Sequence, residues 1–383
     1  MRIIYLITSI NRGGAENHLY DLAVGQRKNN HYVEIIYFKG DGYWSSNFKK
    51  NRIKVLCFNP NFKFLKILNF FLFLYRLVKY LKSEKIDILH SHLPLMDICS
   101  RFLFYFLKKD FVFISTKHLD NYCLRSSNQY KNSISYLSVL IEKWIYSKCD
   151  KFIAISKNVK NFFVKNCGID PADIELIHYG IRKIPKKKSN NNKFFFKNYK
   201  SKKIIFGTIA RLVNQKRIDV TLYALSSLKK DNIEFMYYVM GDGPLLANLR
   251  TLAKKLDIHK NVKFLGYSDR VEEFFRNIDV FCLSSDYEGF GLVLLESMFY
   301  NVPIICTRVG IANEIIKDKN VGLFFKKGNY VDMAKKLKII LSKKLRKKFL
   351  KNLQNFAPKN FSIKKCTDLT EKIYNNQLKQ LHK

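Results

Sequence analysis

Short apolar, β-branched runs alternate with longer helical stretches along this chain, and the alternation occurs twice. Runs at Ile3–Thr8, Val33–Phe38, Ile53–Phe58, Ile86–His90, Phe111–Thr116 and Lys151–Ile155 carry little polar alternation. That is the pattern of strands buried on both faces of a parallel sheet. Helical stretches at 15–28, 63–83, 95–108, 130–148 and 156–166 separate them. A second series follows at Ile204–Gly207, Glu234–Met240, Val262–Leu265, Val280–Leu283, Pro303–Cys306 and Gly322–Phe325. Parallel strands need crossover helices, so the sequence predicts an α/β protein of two doubly wound, Rossmann-like domains. The expected division is 1–183 and 204–360, joined by a polar, basic, low-complexity linker at 184–203. A tail helix, Phe361–Lys379, follows. Two such sheets imply a cleft between them, because open α/β sheets take ligands at strand carboxyl ends.

At 383 residues and 47% apolar composition, the chain can bury two cores. Its cysteines (Cys57, Cys99, Cys123, Cys149, Cys167, Cys282, Cys306, Cys366) form no Cys-x-x-Cys pair, which argues against a zinc cluster or redox motif. Scattered cysteines of this kind read as reduced core residues of a cytoplasmic protein. The chain opens on a strand rather than on a leader followed by a cleavage site, so no signal peptide is expected. Charge is the unusual property: 69 basic residues against 31 acidic give a formal net charge of +38. A charge of that size favours a polyanion, either nucleic acid or an anionic membrane surface, over a solvated surface with no partner. Residues 61–82 are very apolar, yet Lys63, Lys66, Arg76, Lys79 and Lys82 interrupt them, so they do not span a bilayer. They suit a helix packed on a sheet, or one whose outer face dips among lipid headgroups.

Four places carry candidate chemistry. In Ser284-Ser285-Asp286-Tyr287-Glu288-Gly289-Phe290-Gly291-Leu292-Val293-Leu294-Leu295-Glu296, two glutamates stand eight positions apart around a Gly-x-Gly turn. The turn is expected to open a helix near Phe290, whose first amides suit a phosphate. Arg211 and Lys216 lie in one β-to-α turn, where a guanidinium and an ammonium can both reach developing negative charge on a leaving group. Gly13-Gly14-Ala15-Glu16 follows the first strand and lets backbone approach a ligand closely. Its spacing is not Gly-x-Gly-x-x-Gly, which counts against a dinucleotide cofactor. Finally, His90-Ser91-His92 and Lys117-His118 close two strands of the first domain. A histidine at a strand end is more often structural than functional, but carboxyl ends of an open sheet face its ligand. No carboxylate completes a metal site with His90 and His92, so no metal is expected.

Glu-Gly-Phe-Gly-Leu-Val-Leu-Leu-Glu at 288–296 resembles the Glu-x7-Glu signature of retaining glycosyltransferases of family 4 (glycosyltransferase group 1), which have the GT-B fold. The resemblance spans about Arg2 to Leu323 and is strongest after residue 204. It implies that Glu288 contacts the donor sugar and Glu296 holds the ribose of a nucleoside diphosphate sugar. Arg211 and Lys216 would neutralise the diphosphate, sparing the enzyme a divalent metal. Gly241-Asp242-Gly243-Pro244 is similar to the family's turn near the nucleotide, and Phe264-Leu265-Gly266-Tyr267 to the element flanking the base. Phe290, Gly291 and Leu292 complete the donor side with Gly266 and Gly14. His118 would lean over the donor sugar, while Gly13 and His92 lie on the acceptor side. The tail helix would cross back to the first domain. Departures from the pattern are Ala210 for a glycine, Ile311 for a second glycine, and Arg182 where the family has aspartate.

The resulting expectation is a metal-independent, retaining transferase without a cofactor. It would move a hexosyl group from a UDP- or GDP-sugar to a lipid-linked or cell-surface glycan precursor, such as lipopolysaccharide, O-antigen, capsule or exopolysaccharide. The charge would hold it on the inner face of the cytoplasmic membrane as a peripheral protein. A nucleic-acid-binding protein would also explain the charge and the 15% aromatic content. It would need a recognisable binding motif, and none is present. A related GT-B enzyme, an epimerase or phosphorylase, is a third reading, though no lysine stands out as a pyridoxal anchor.

Overall fold

A computed structural model describes residues 1–58, 66–108, 110–118, 133–181 and 203–382. The chain forms two compact units, Met1–Arg182 with Phe361–Lys383, and Lys183–Asn360. The expected linker, residue 203 apart, lies outside the described residues, as does Arg182.

The first unit holds strands β1 (Arg2–Ile7), β2 (Tyr32–Tyr37), β3 (Lys54–Cys57), β4 (Ile88–His92), β5 (Val112–Lys117), β6 (Lys151–Ala154) and β7 (Ile174–Leu176). They form one sheet in the order β3-β2-β1-β4-β5-β6-β7, every neighbouring pair parallel. The second unit holds β8 (Ile204–Ile209), β9 (Phe235–Met240), β10 (Val262–Gly266), β11 (Val280–Leu283), β12 (Ile304–Cys306) and β13 (Gly322–Phe324). Their order is β10-β9-β8-β11-β12-β13, again all parallel. Each sheet therefore reverses its winding once, between β1 and β4 and between β8 and β11. Loops leaving two adjacent strands there diverge to opposite faces and open a crevice at the carboxyl ends. The motifs at Gly13, Arg211–Lys216 and Glu288 follow β1, β8 and β11, which flank these two points, and His90 and His92 lie at the end of β4.

The strands are apolar because both faces are covered. One face of the first sheet packs Ile3, Tyr5, Ile35, Ile88 and Ile114 under the helices Gly14–Lys28 and Ile363–Leu381. The other packs Ile4, Leu6, Leu89 and Phe113 under the helices Lys66–Ser83 and Pro94–Leu103. The tail helix Ile363–Leu381 thus belongs to the first unit. Tyr374 fixes it there: its hydroxyl lies 3.0 Å from the Tyr5 hydroxyl and 2.5 Å from His90 Nδ1. Gly180 permits the entry, since a Cβ there would lie 2.4 Å from Ile363 Cα.

Four local features differ from the sequence reading. Strand β4 runs through His92 rather than ending at His90, and a short strand, β7, adds an edge. A helix at Ser45–Lys50 was not foreseen. The helix expected near Phe290 begins at Leu292, because Gly291 sits at φ +83° as its N-cap and Phe290 turns into the core.

Candidate functional site

In the second unit the decisive residues leave β8 and β11 at the reversal point. After β8 the chain passes Ala210 and an exposed Arg211, then a turn of 3-10 helix, Asn214–Lys216. After β11 come Ser284 to Gly291. The two loops are stitched together: Asp286 N donates to Gln215 O at 2.9 Å, and Gln215 Nε2 to Tyr287 O at 2.8 Å. Ser284 Oγ bonds the carbonyls of Lys216 and Arg217, and Thr307 Oγ1 donates to Ser285 O at 2.6 Å. This lattice presents Lys216 to Glu288, with Nζ 2.5 Å from Oε1. Ser285 Oγ donates to the same oxygen at 2.7 Å. Glu288 is buried and Lys216 nearly so, which makes the pair stronger than a surface ion pair.

Glycines let the backbone crowd in around it. Gly310, at φ +52°, would place a Cβ 2.2 Å from Phe290 O, so the β12 loop presses directly on the Glu288 turn. Gly241 N donates to Gly266 O at 2.8 Å, tying the turn after β9 to Gly266 at φ +71°. Glu296 is half-buried, about one and a half helical turns beyond Gly291, close enough to help raise the Tyr300 phenol pKa after burial and Glu272.

In the first unit the period of two along a strand separates two polar sets. His90, His92, Thr116 and His118 share one face; Ser91, Ser115 and Lys117 share the other. On the second face Asp97 accepts from Ser91, from Ser115 at 2.8 Å and from Lys117 at 2.8 Å. Lys117 also reaches Glu142 at 2.7 Å, whose carboxyl pKa is raised by burial. This buried network locks the end of β5, and His118 follows it directly.

On the first face His90 is satisfied by Tyr374 and by Thr116 at 2.7 Å, so its role is structural. His92 Nδ1 lies 2.8 Å from His118 Nε2, and His118 Nδ1 bonds the Tyr179 hydroxyl. His18 stacks on the Tyr179 ring at 4.0 Å. Burial holds His18 and His90 down at about 3 and His92 and His118 well below the usual imidazole value, so all four rings are neutral at pH 7. Among the described residues, His92 Nε2 and His18 Nδ1 are buried and find no hydrogen-bond partner. Each such group costs roughly 1–3 kcal/mol unless something else uses it. Leu93, the next residue after His92, adopts φ 73° and ψ 151°, a region nearly reserved for glycine. Gly13 caps the helix Gly14–Lys28, and Glu16 folds back over it to accept from Ser9 Oγ at 3.1 Å. Gly14 is exposed. Among the described residues no group of three His, Cys, Asp or Glu could hold a metal.

Two family models together account for most of the chain. Glycosyltransferase Family 4 matches residues 12–183, and Glycosyl transferases group 1 matches residues 189–359. The chain belongs to the group 1 glycosyltransferases of the GT-B fold. A glycosyltransferase of Methanocaldococcus jannaschii is 28% identical to this transferase over 351 residues, 89% of this chain and 90% of the relative. The Campylobacter jejuni α-1,4-N-acetyl-D-galactosaminyltransferase named for a GalNAc-GalNAc-diNAcBac-PP-undecaprenol substrate is 27% identical over 373 residues, 95% of both chains. Anabaena HepE, solved with UDP and glucose, superposes on the transferase with a TM-score of 0.79 at 17% identity, covering 98% of this chain and all of that one.

The transferase fold gathers Arg211, Lys216, Glu288, Phe290, Gly291, Leu292, Glu296 and Gly266 in one unit, and Gly13, Gly14, His92 and His118 in the other. Sequence reading missed His18 and Tyr179. A histidine inside an amphipathic helix and a tyrosine in a loop carry no local sign of the ring contact that joins them.

Proposed function

We propose that this glycosyltransferase moves a hexosyl group, with retention at the anomeric carbon, from a UDP- or GDP-sugar to a lipid-linked glycan precursor. The observation that carries the donor half is the Lys216–Glu288 pair at the reversal point of the second sheet. Among the described residues, the bonds from Lys216 and Ser285 to Glu288 both fall on Oε1. Its Oε2 is then the oxygen for a sugar hydroxyl, while Glu296 takes the ribose. Arg211 and Lys216 supply the positive charge that a departing diphosphate needs, so no divalent metal is required. Retention follows if the acceptor hydroxyl attacks on the face the diphosphate leaves and gives its proton to that diphosphate. A dedicated base is then unnecessary, and His118 has an orienting role beside the sugar. The HepE complex with UDP and glucose supports a UDP-sugar, and the Campylobacter relative's name supports an acceptor on a polyprenyl diphosphate.

A thermal-shift panel of UDP, GDP, ADP and CMP with EDTA tests the donor site. One diphosphate at millimolar concentration is expected to raise Tm, because a ligand of tens-of-micromolar affinity stabilises the native state by roughly 2–3 kcal/mol. No shift with any of them would sink the donor assignment.

For the partner of the net charge we favour an anionic membrane over nucleic acid. On the helix Lys66–Ser83, Ile67, Phe71 and Tyr75 are 76%, 60% and 64% exposed, one above another at i, i+4 and i+8. Arg76, Lys79 and Lys82 are exposed on the turns that follow. Among the described residues no helix is long and apolar enough to cross a membrane, whereas an apolar ridge beside cations suits the headgroup layer. The protein should float with vesicles containing phosphatidylglycerol and not with neutral ones, and Ile67→Glu with Phe71→Glu should lower that binding at least ~10-fold. Binding to an oligonucleotide but to neither vesicle would favour the other polyanion.

A further inference from the structure

Three rings of the first unit form a hydrogen-bonded line: Tyr179 hydroxyl to His118 Nδ1, His118 Nε2 to His92 Nδ1 at 2.8 Å, and then His92 Nε2, buried and, among the described residues, without a partner. A neutral imidazole carries one N–H, so the tautomers along such a line are set jointly. Of the groups in it, the phenol is the most acidic and has the strongest reason to donate. If Tyr179 donates to His118 Nδ1, the His118 proton must sit on Nε2. That N–H then donates to His92 Nδ1, which leaves the His92 proton on Nε2.

We infer that His92 offers its Nε2–H as a hydrogen-bond donor to an oxygen of the sugar substrate, with His118 and Tyr179 as positioning residues that hold it in that tautomer. The inference rests on the transferase reading and narrows it, since it says which imidazole nitrogen meets the ligand. Both nitrogens of His118 already have partners within the protein, so in this line of rings the nitrogen left to meet a ligand is His92 Nε2. His18, stacked on Tyr179 at 4.0 Å, holds the phenol in place. The backbone agrees: His92 is the last residue of β4, at the carboxyl end beside the reversal point, and Leu93 in its unusual conformation turns the chain into the helix Pro94–Leu103. A neutral donor there suits a sugar hydroxyl or ring oxygen better than a phosphate, which would favour a cation.

The amide variants separate this from a structural role. In His92→Asn the amide group overlays Nδ1, where its oxygen can accept from His118 Nε2–H, and the donor at the Nε2 position is lost. In His92→Gln the amide nitrogen overlays Nε2, keeping that donor and losing the bond to His118. Transfer kcat/KM should fall at least ~30-fold in His92→Asn and stay within ~5-fold in His92→Gln, consistent with one hydrogen bond to substrate. The reverse order would overturn the proposal, because packing alone favours Asn. Histidine-selective 15N NMR of the intact wild-type protein provides a check that needs no substrate. His92 should show a protonated Nε2, and Tyr179→Phe should convert it to a mixture. A protonated Nδ1 in the wild type would also overturn it. Wild-type transfer is assayed first with UDP- and GDP-sugars: failure there strikes the transferase reading of the site, while the tautomer spectrum judges the ring line on its own.

Discussion

Glu288→Gln should cost about 10²–10³ in kcat while leaving the diphosphate-induced thermal shift within a degree or two of wild type, the size expected when one preorganised polar contact to a transition state is lost. Gln fits the same volume and still accepts from Ser285, so the loop lattice through Gln215, Asp286 and Thr307 survives. What disappears is the negative charge that holds Lys216 at 2.5 Å and the second carboxylate oxygen proposed for the sugar. Lys216 remains available to a diphosphate, which is why nucleotide binding should persist. Lys216→Ala makes the contrast, since it removes the cation itself and should weaken both transfer and the shift. If Glu288→Gln transferred within tenfold of wild type, Glu288 would not be the residue that meets the sugar.

Mild acid should unfold this protein steeply. His18 and His90 titrate at about 3 in the folded state, and His92 and His118 lie well below 6.5, in each case through burial. The unfolded chain takes those protons near 6.5. Between pH 6.5 and about 3 the unfolded state therefore binds more protons, so stability falls as pH falls and is flat above that window. Each ring contributes a slope of up to ~1.4 kcal/mol per pH unit. Four rings would exhaust a typical stability of about 5–15 kcal/mol within two or three pH units. Glu142 opposes this: its folded pKa is raised, so acid favours the folded form until the unfolded carboxyl titrates as well. One carboxyl against four imidazoles leaves the sign unchanged. Urea melts from pH 8 to pH 5 should show a plateau and then a drop, with a shallower drop in His92→Gln. A midpoint unchanged down to pH 5 would mean that these rings are not held neutral.

Much of this architecture could be read from residue order because parallel strands covered on both faces must be apolar runs, and such runs stand out between helices. The Glu288–Glu296 spacing was legible for a related reason: both residues fall within one local turn and helix. The start of that helix was misread by two positions, since the sequence does not show that Gly291 rather than Phe290 adopts the left-handed backbone. Strand β7 is only three residues at a sheet edge, too short for a periodic signal. The His18–Tyr179–His118–His92 assembly draws on four separate elements. The Lys117–Asp97–Glu142 network draws on three. In neither case does any spacing along the chain predict the contact. Positions 184–202 and 119–132, within or beside several expectations, lie outside the described residues.

The first unit is completed by the last helix, nineteen residues from Ile363 to Leu381. On a ribosome that order has a cost in time. At about 5–20 residues per second, some tens of seconds separate the emergence of β7 from that of its covering helix. During that interval Tyr5, His90 and the apolar face around Ile3 and Ile88 lack their lid. The second unit, contiguous in sequence, has no such wait. The half of the enzyme made first is therefore the half finished last, and a newly synthesised chain is most exposed to misassociation where its histidine line will later form.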